Sequence, residues 1–166
     1  MGRLPGRWTM VFGLGLLMTV LSCARSIPEV RHVVVDARHS LLIASDTSEF
    51  KDAVRMRVFD HFKPYSNVEV TRIGHLKEHH ADDFDAVLII DTCLAWSRFN
   101  PSLKAFMDAA KDPGRIILFL TVDDTDWDFT YQGVDAITAA SRMEDEARVA
   151  TMLIRDIDKI LKTQAL

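Results

Sequence analysis

A run of hydroxyl residues lies where an apolar segment gives way to a helical pattern. Ser45, Thr47 and Ser48 fall in the stretch IASDTSEFKDA. A turn that opens a helix can hold a phosphate there, because the helix N-terminus attracts anions. The same residues also fit a simple N-cap, with Glu49 in the first turn favoured by the helix dipole. Because Asp46 and Glu49 are negative and the turn has no glycine, we interpret it first as a helix start and second as a phosphate site.

Two polar segments contain residue types that bind metals. Four aspartates over residues 123–128 resemble the start of a calcium loop, but Phe129 stands where that loop requires glycine. His75 and His79 would share a helical face and could bind zinc, but no cysteine partner or HExxH pattern accompanies them. We therefore expect solvated polar surface in both segments and no metal site.

The composition limits the function classes. The chain has 166 residues, of which 48% are hydrophobic and 27% charged, as expected for one globular domain. The net charge of −4 is spread without a basic stripe, so we expect no nucleic-acid partner. No GxSxG elbow and no P-loop appear, so a hydrolase or a kinase has no positive support and no catalytic residue is predicted.

The N-terminus has the pattern of an export signal. Two arginines precede an uncharged apolar run that is shorter than the roughly 20 residues needed to span a bilayer. The run ends in VLSC, which resembles the bacterial lipoprotein signal, where a small residue precedes a lipidated cysteine. We predict a signal peptide over residues 1–22 and a lipid anchor, with palmitate, on Cys23, which would hold an exported protein at the cell-envelope membrane. Cleavage after Ala24, which gives a secreted or periplasmic soluble protein, is the alternative.

The elements that position these residues follow from hydrophobic periodicity. Residues 23–39 are expected to be a tether, in which HVVVDA is either an edge strand or part of the tether. Five apolar runs follow over residues 40–166, and the middle ones lack the polar alternation of half-exposed strands. Helical patterns between them predict an α/β three-layer sandwich, with one sparse layer because two of the crossovers are short. The runs are SLLIASD, NVEVTRI, DAVLIID, RIILFLT and DAITAAS.

Capping signals and apolar spacing locate the helices. Asn100 is a good N-cap before a proline, and Ser141 with Glu144 forms a capping box for the last helix. In the first helix, apolar residues recur from Phe50 at three- and four-residue spacing, and Lys51 lies largely off that face. The pattern therefore predicts that Lys51 points away from the core.

The segment DFDAVLIIDTCLAWSRFNPSLKAFMD, residues 83–108, resembles the third-strand region of the flavodoxin-like family. The resemblance implies a parallel five-stranded sheet of order 2-1-3-4-5, with the ligand beyond the carboxyl ends of the strands. It also implies FMN as the cofactor, with the phosphate in the first loop and the flavin ring between aromatic residues of two later loops.

Applied to this sequence, the resemblance implies a function and a set of cofactor-binding residues. The function is electron transfer between bound FMN and a redox partner protein. The alternative is a degenerate flavodoxin-like domain without flavin that acts as a binding module of an envelope lipoprotein. The implied residues are Ser45, Thr47 and Ser48 for the phosphate, Thr92 and Trp96 for one flavin face, and Trp127 or Tyr131 for the other.

Overall fold

Strands and helices alternate along the chain in the computed structural model, which describes residues 27–92, 100–122 and 128–164. Short 3₁₀ turns complete the order at Ile73–Glu78, Ala81–Asp83, Pro113–Arg115 and Met143–Asp145. The helices are α1 (Glu49–Phe62), α2 (Pro101–Ala109) and α3 (Glu146–Gln164). The strands are β1 (Val30–His32), β2 (His39–Ser45), β3 (Ser66–Arg72), β4 (Ala86–Thr92), β5 (Ile116–Thr121), β6 (Thr130–Tyr131), β7 (Val134–Asp135) and β8 (Ile137–Ala139).

One mostly parallel sheet forms the centre of the fold, in the order β1-β3-β2-β4-β5-β8. All neighbours are parallel except β1, which pairs antiparallel with β3 at the edge. Without β1, the order is the predicted 2-1-3-4-5, so the flavodoxin-like fold is confirmed. The parallel strands β2, β3, β4 and β5 end at Ser45, Arg72, Thr92 and Thr121, along one side of the sheet that is called the carboxyl edge below.

Helices cover both faces of the sheet, as predicted for three layers. On one face α1 and α3 bury a cluster that includes Phe50, Val58 and Leu153. On the other face α2 and the 3₁₀ turns after β3 bury a cluster that includes Leu76 and Phe106. The connection from β3 to β4 contains only 3₁₀ turns, so the layer on this face is thin beside β3. The sequence predicted a sparse layer because this crossover is short.

An edge strand, β1, lies just before the segment HVVVDA, residues 32–37, and shares only His32 with it. In β1, Val30 lies opposite Val70 of β3. The chain before β1 also packs, since Ile27 is 4% exposed within the cluster under α1. Within the described residues, no helix is long and apolar enough to cross a membrane.

Helix starts match the sequence at two of three positions. Ser48 caps α1 and Asn100 caps α2, where Asn100 Oδ1 accepts the backbone N–H of Ser102 at 3.0 Å. The predicted capping box at Ser141 is wrong. A 3₁₀ turn precedes α3 there, and its N-cap position is Arg142, without a side-chain cap.

Candidate functional site

The first loop joins β2 to α1 at the carboxyl edge and carries the three predicted phosphate residues. Ser45 is fully buried, and its hydroxyl donates to the backbone oxygen of Asp46 at 2.6 Å. The Ser48 hydroxyl accepts the backbone N–H of Lys51 at 3.1 Å, as the cap of α1. Thr47 donates its backbone N–H to Asp46 Oδ1 at 2.7 Å. Two of the three hydroxyls are therefore bonded within the loop itself.

A buried lysine ties this loop to the neighbouring strand. The Lys51 side chain is 3% exposed, although the sequence pattern predicted that it points away from the core. Its Nζ contacts Asp46 Oδ2 at 3.2 Å and also donates to Thr92 Oγ1. A buried ammonium needs such partners, because an unpaired charge inside a protein is costly. Lys51 therefore links the end of β2 to the end of β4.

A second carboxyl group lies beside this pair. Asp91 is partly buried near the end of β4, and its Oδ1 accepts the backbone N–H of Thr92 at 2.8 Å. Burial raises the pKa of Asp91, and the nearby Asp46 carboxylate raises it further, against the lowering by the Thr92 N–H and by Lys51. The net direction is upward, so this position of the carboxyl edge disfavours a negative charge.

The described residues of the carboxyl edge, as arranged, do not fit a phosphate dianion. The hydroxyls of Ser45, Ser48 and Thr92 already have partners inside the protein. The Asp46 carboxylate takes a backbone N–H and the ammonium that a phosphate would use, and Glu49 adds an exposed negative charge in the first turn of α1. The Asp46 carboxylate therefore makes the contacts that a bound phosphate would make.

Several predicted residues fall outside the part of the chain that the structure describes. These include the two aromatic residues assigned to the flavin faces, the lipidation site and most of the aspartates weighed for calcium. The predicted residues that do come together at the carboxyl edge are those of the first loop and the end of β4. The residues outside are Trp96, Trp127, Cys23, Asp123, Asp124 and Asp126.

Tyr131, the alternative to Trp127, lies in β6 against the last turn of α2. Its hydroxyl donates to Asp108 Oδ1 at 2.7 Å, as does Gln132 Nε2 at 2.9 Å, and Lys104 Nζ donates to Asp108 Oδ2 at 2.6 Å. The bonds from Lys104, Tyr131 and Gln132 lower the pKa of Asp108 to about 2. The Tyr131 hydroxyl therefore anchors the β6–β7 hairpin on α2.

The two histidines weighed for zinc lie beside glutamates. His75 Nδ1 lies 2.5 Å from Glu29 Oε1, and its Nε2 lies 3.2 Å from an Arg72 nitrogen. His79 Nδ1 lies 3.6 Å from Glu69 Oε1. Among residues 27–92, 100–122 and 128–164, no group of three or more histidine, cysteine or acidic side chains could hold a metal ion.

Lys51 is the functional residue that sequence reasoning missed. A helical-face analysis places it off the apolar stripe, but in the first turn of α1 the Lys51 side chain reaches Thr92 at the end of β4. One signal was available in the sequence. A lysine in the first turn of a helix opposes the helix dipole, which implies a local anion such as Asp46.

Comparisons with known proteins add little beyond the fold. No protein-family model matches the chain, and no curated protein matches it. Among solved structures, the oxidised flavodoxin 2 of Bacillus cereus is similar, with a TM-score of 0.47 and 14% identity over 72% of this chain and 98% of that chain. The assignment of the fold rests on the strand order of the chain itself.

Proposed function

We propose that this chain is a membrane-anchored flavodoxin-like domain that acts as a binding module of an envelope lipoprotein and carries no FMN. The observation that supports this function is the contact of Lys51 with Asp46 and Thr92 at the carboxyl edge. Through this contact, the buried cation at the first loop is already neutralised by the chain's own carboxylate. A cofactor phosphate would have to displace that carboxylate.

The electrostatics of the edge also support a module without FMN. A phosphate beside the first loop would lie close to the carboxylates of Asp46 and Glu49, and like charges at short range repel. The upward shift of the Asp91 pKa indicates that burial already penalises an anion at the end of β4. Lys51 is the one positive charge in the first loop, and its ammonium also donates a hydrogen bond to Thr92.

The anchor in this proposal is the lipid on Cys23, which is supported by the signal-like N-terminus. Cys23 precedes the packed Ile27 by four residues, a reach of about 14 Å at about 3.5 Å per residue. Glu29 lies 4.0 Å from Arg72 at the end of β3, so the chain enters the domain at the carboxyl edge. The anchor would therefore hold this edge toward the membrane, and the module would meet its partner there.

Electron transfer with bound FMN and a redox partner protein is the second candidate function. One observation favours it: Lys51 places an ammonium at the carboxyl edge, between the ends of β2 and β4. If its pair with Asp46 opened, this ammonium would be free to bind a phosphate. FMN would then supply the redox chemistry, and the chain would bind and orient it.

The two candidates are separated by FMN binding. The full-length protein, purified from membranes in a non-ionic detergent, is examined by visible absorption and then titrated with FMN while tryptophan fluorescence is recorded. The same titration is done with an Asp46→Asn/Glu49→Gln variant, which removes both negative charges of the first loop. The control is Asp60→Asn/Glu144→Gln, which removes two charges elsewhere.

A binding module without FMN predicts no flavin absorption bands, no saturable quenching and no gain in the first-loop variant. Flavin bands in the wild-type protein, or saturable quenching by FMN, would overturn the proposal and support electron transfer. A strong gain in the first-loop variant but not in the control would show that the FMN site persists and that Asp46 and Glu49 only weaken it.

A further inference from the structure

The outer side of β1 is a free edge of the central sheet. β1 is the end strand, and in the described part of the chain its one partner is β3. A free edge presents backbone N–H and C=O groups to an incoming strand, and proteins commonly block such an edge with lysine. No lysine lies between residues 27 and 39. The outer side of β1 is therefore open to pairing with another extended chain.

Exposed apolar side chains are concentrated beside this edge. Val30, Val33 and Val35 are 37%, 66% and 88% exposed, and they make up half of the large exposed apolar side chains among the described residues. Single exposed valines are ordinary on a protein surface, but a cluster of them marks an interaction site. Because the cluster adjoins the free edge, a chain that pairs with β1 would cover part of it.

One hydrogen bond indicates which backbone groups of this segment point outward. Just after β1, the N–H of Val34 donates to Asn67 Oδ1 of β3 at 2.9 Å. Successive N–H groups of an extended chain point to opposite sides, so the even-numbered residues of β1 direct theirs toward β3. The N–H and C=O groups of Glu29 and Arg31 then point outward. Pro28, which has no N–H, belongs to the inward set and does not interrupt the outer edge.

The residues of this edge are complementary to a second copy of themselves. In an antiparallel pair with a two-fold axis at Val30, Glu29 of each copy lies opposite Arg31 of the other. Opposite charges at directly opposed positions stabilise an antiparallel pair, and the symmetry forms this pair twice. An axis at Arg31 would instead oppose two arginines. The charges therefore favour the register centred on Val30.

The charged groups that this pairing needs are available. Glu29 contacts Arg72 at 4.0 Å and His75 at 2.5 Å through Oε1, and no ion pair of the described residues uses its Oε2. Arg31 contacts Glu69 at 3.9 Å through Nε, and its side chain is 79% exposed. Both side chains can therefore reach a second copy without losing these contacts.

We propose that β1 pairs antiparallel with β1 of a second copy of this chain, which joins the two central sheets into one. Backbone groups of Glu29 and Arg31 form the hydrogen bonds, their side chains form two ion pairs, and the two Val30 side chains lie against each other. The pairing involves few residues, so the dimer belongs with the small, transient interfaces. This inference goes beyond the proposed function and does not depend on the absence of FMN or on the lipid anchor.

The symmetry of the pair determines the conditions of the test. The two-fold axis is perpendicular to the sheet, so the carboxyl edges of the two copies point in opposite directions. Two domains that both hold this edge against one bilayer cannot pair in this way. The full-length protein is therefore studied in non-ionic detergent with micelles in excess, where each copy can turn freely.

Disulfide linkage through Val30→Cys tests the register. Directly opposed residues outside hydrogen-bonded pairs have Cα atoms about 4.5 Å apart, within the disulfide range of about 4.4–6.8 Å. The variant is made in a Cys93→Ser background, and that background protein alone shows any linkage through Cys23. Met56→Cys, at a site on α1 that is 60% exposed, is the matched control for random collision. Linked dimer is measured on a non-reducing gel after mild oxidation.

A charge reversal tests the ion pairs. Arg31→Glu, added to Val30→Cys, places a glutamate opposite Glu29 of the second copy. Arg142→Glu makes the same change of charge at an exposed site after β8, at the opposite end of the sheet, and is the matched control.

The expected result is at least about fivefold more linked dimer from Val30→Cys than from Met56→Cys, and a loss of about fivefold when Arg31→Glu is added. Arg142→Glu should leave the linkage unchanged. Equal linkage through Val30→Cys and Met56→Cys would overturn the proposal, because it would indicate random collision. Linkage that Arg31→Glu does not lower, or that Arg142→Glu lowers equally, would also overturn it.

Discussion

At the residue scale, Lys51 determines the chemistry of the carboxyl edge. Its ammonium is buried and bonded to Asp46 and Thr92, so the positive charge of the first loop is already paired within the chain. Ser48 could be predicted from the sequence, because an N-cap is a local interaction within one turn. The burial of Lys51 could not, because Thr92 is 41 residues away and only the fold brings it near.

Asp91 gives a prediction about pH. Its pKa in the folded protein is raised above the ordinary value of an aspartate, chiefly by burial. The folded state therefore holds this proton more tightly than the unfolded state does, so the wild-type protein loses stability as the pH rises from about 4 through the folded pKa. Asp91→Asn keeps an acceptor for the Thr92 N–H and has no proton to lose. We expect this variant to gain stability relative to wild type over that interval.

Urea unfolding of both proteins at several pH values between about 4 and 8 measures the difference, because the unfolding free energy is linear in urea. The difference should grow with pH and then become constant. Asp85→Asn is not a suitable control, since Asp85 accepts hydrogen bonds from Ser40. Asp60→Asn is better, because Asp60 is exposed. A difference for Asp91→Asn that is constant over the whole interval would contradict the raised pKa.

At the element scale, local signals located two helix starts but missed the third and a hairpin. Asn100 and Ser48 accept backbone N–H groups within their own first turns. The segment after β5 was expected to be only a short crossover, and it contains β6 and β7. Gln132 and Gly133 join them with positive φ angles of 52° and 80°, the pattern of a tight hairpin turn. The β6–β7 hairpin is held by contacts with α2. These contacts could not be identified from the sequence, because they form only in the folded protein.

The cap of α1 gives a prediction about the role of Ser48. Replacing Ser48 by Ala removes the acceptor for the Lys51 N–H, which typically costs about 1 kcal/mol of unfolding free energy. Ser48→Asn keeps an acceptor and should restore most of that stability. Ser102→Ala, in the first turn of α2, is the matched control and should change the unfolding free energy by about 0.5 kcal/mol or less.

Urea unfolding provides these free energies, and the FMN titration described above is repeated with each variant. A role limited to capping predicts a change in stability and no change in the response to FMN. The opposite pattern, unchanged stability together with altered FMN binding, would assign Ser48 to a phosphate site after all.

At the scale of the whole molecule, the strand order was predictable and the entry of the chain was not. Continuous apolar runs predicted a mostly parallel sheet, and the resemblance of residues 83–108 to the flavodoxin-like family implied the order 2-1-3-4-5, which the sheet has without β1. The edge strand β1 lies in a segment expected to be a tether, because it has only three residues and its pairing with β3 depends on a surface that forms only in the folded sheet. Ile27, before this strand, is packed as tightly as the core.

This entry point gives a prediction about orientation at the membrane. If Cys23 carries the lipid, a probe at the start of α1 lies nearer to the bilayer than one at its end, about 20 Å away along the helix. Fluorescent labels on Glu49→Cys and Lys63→Cys, in a Cys93→Ser background, are compared by quenching with spin-labelled lipids. We expect stronger quenching at residue 49, because Glu29 and Arg72 fix the chain entry at the carboxyl edge.

The experiment tests the lipid anchor on Cys23 and the orientation of the carboxyl edge separately. Cys23→Ala should release the protein from the membrane fraction, and continued membrane association would contradict the anchor itself. With the anchor intact, equal or stronger quenching at residue 63 would mean that the carboxyl edge faces away from the bilayer. The short reach between Cys23 and Ile27 then could not determine the orientation, and a contact between the opposite edge and the lipid would have to hold the domain instead.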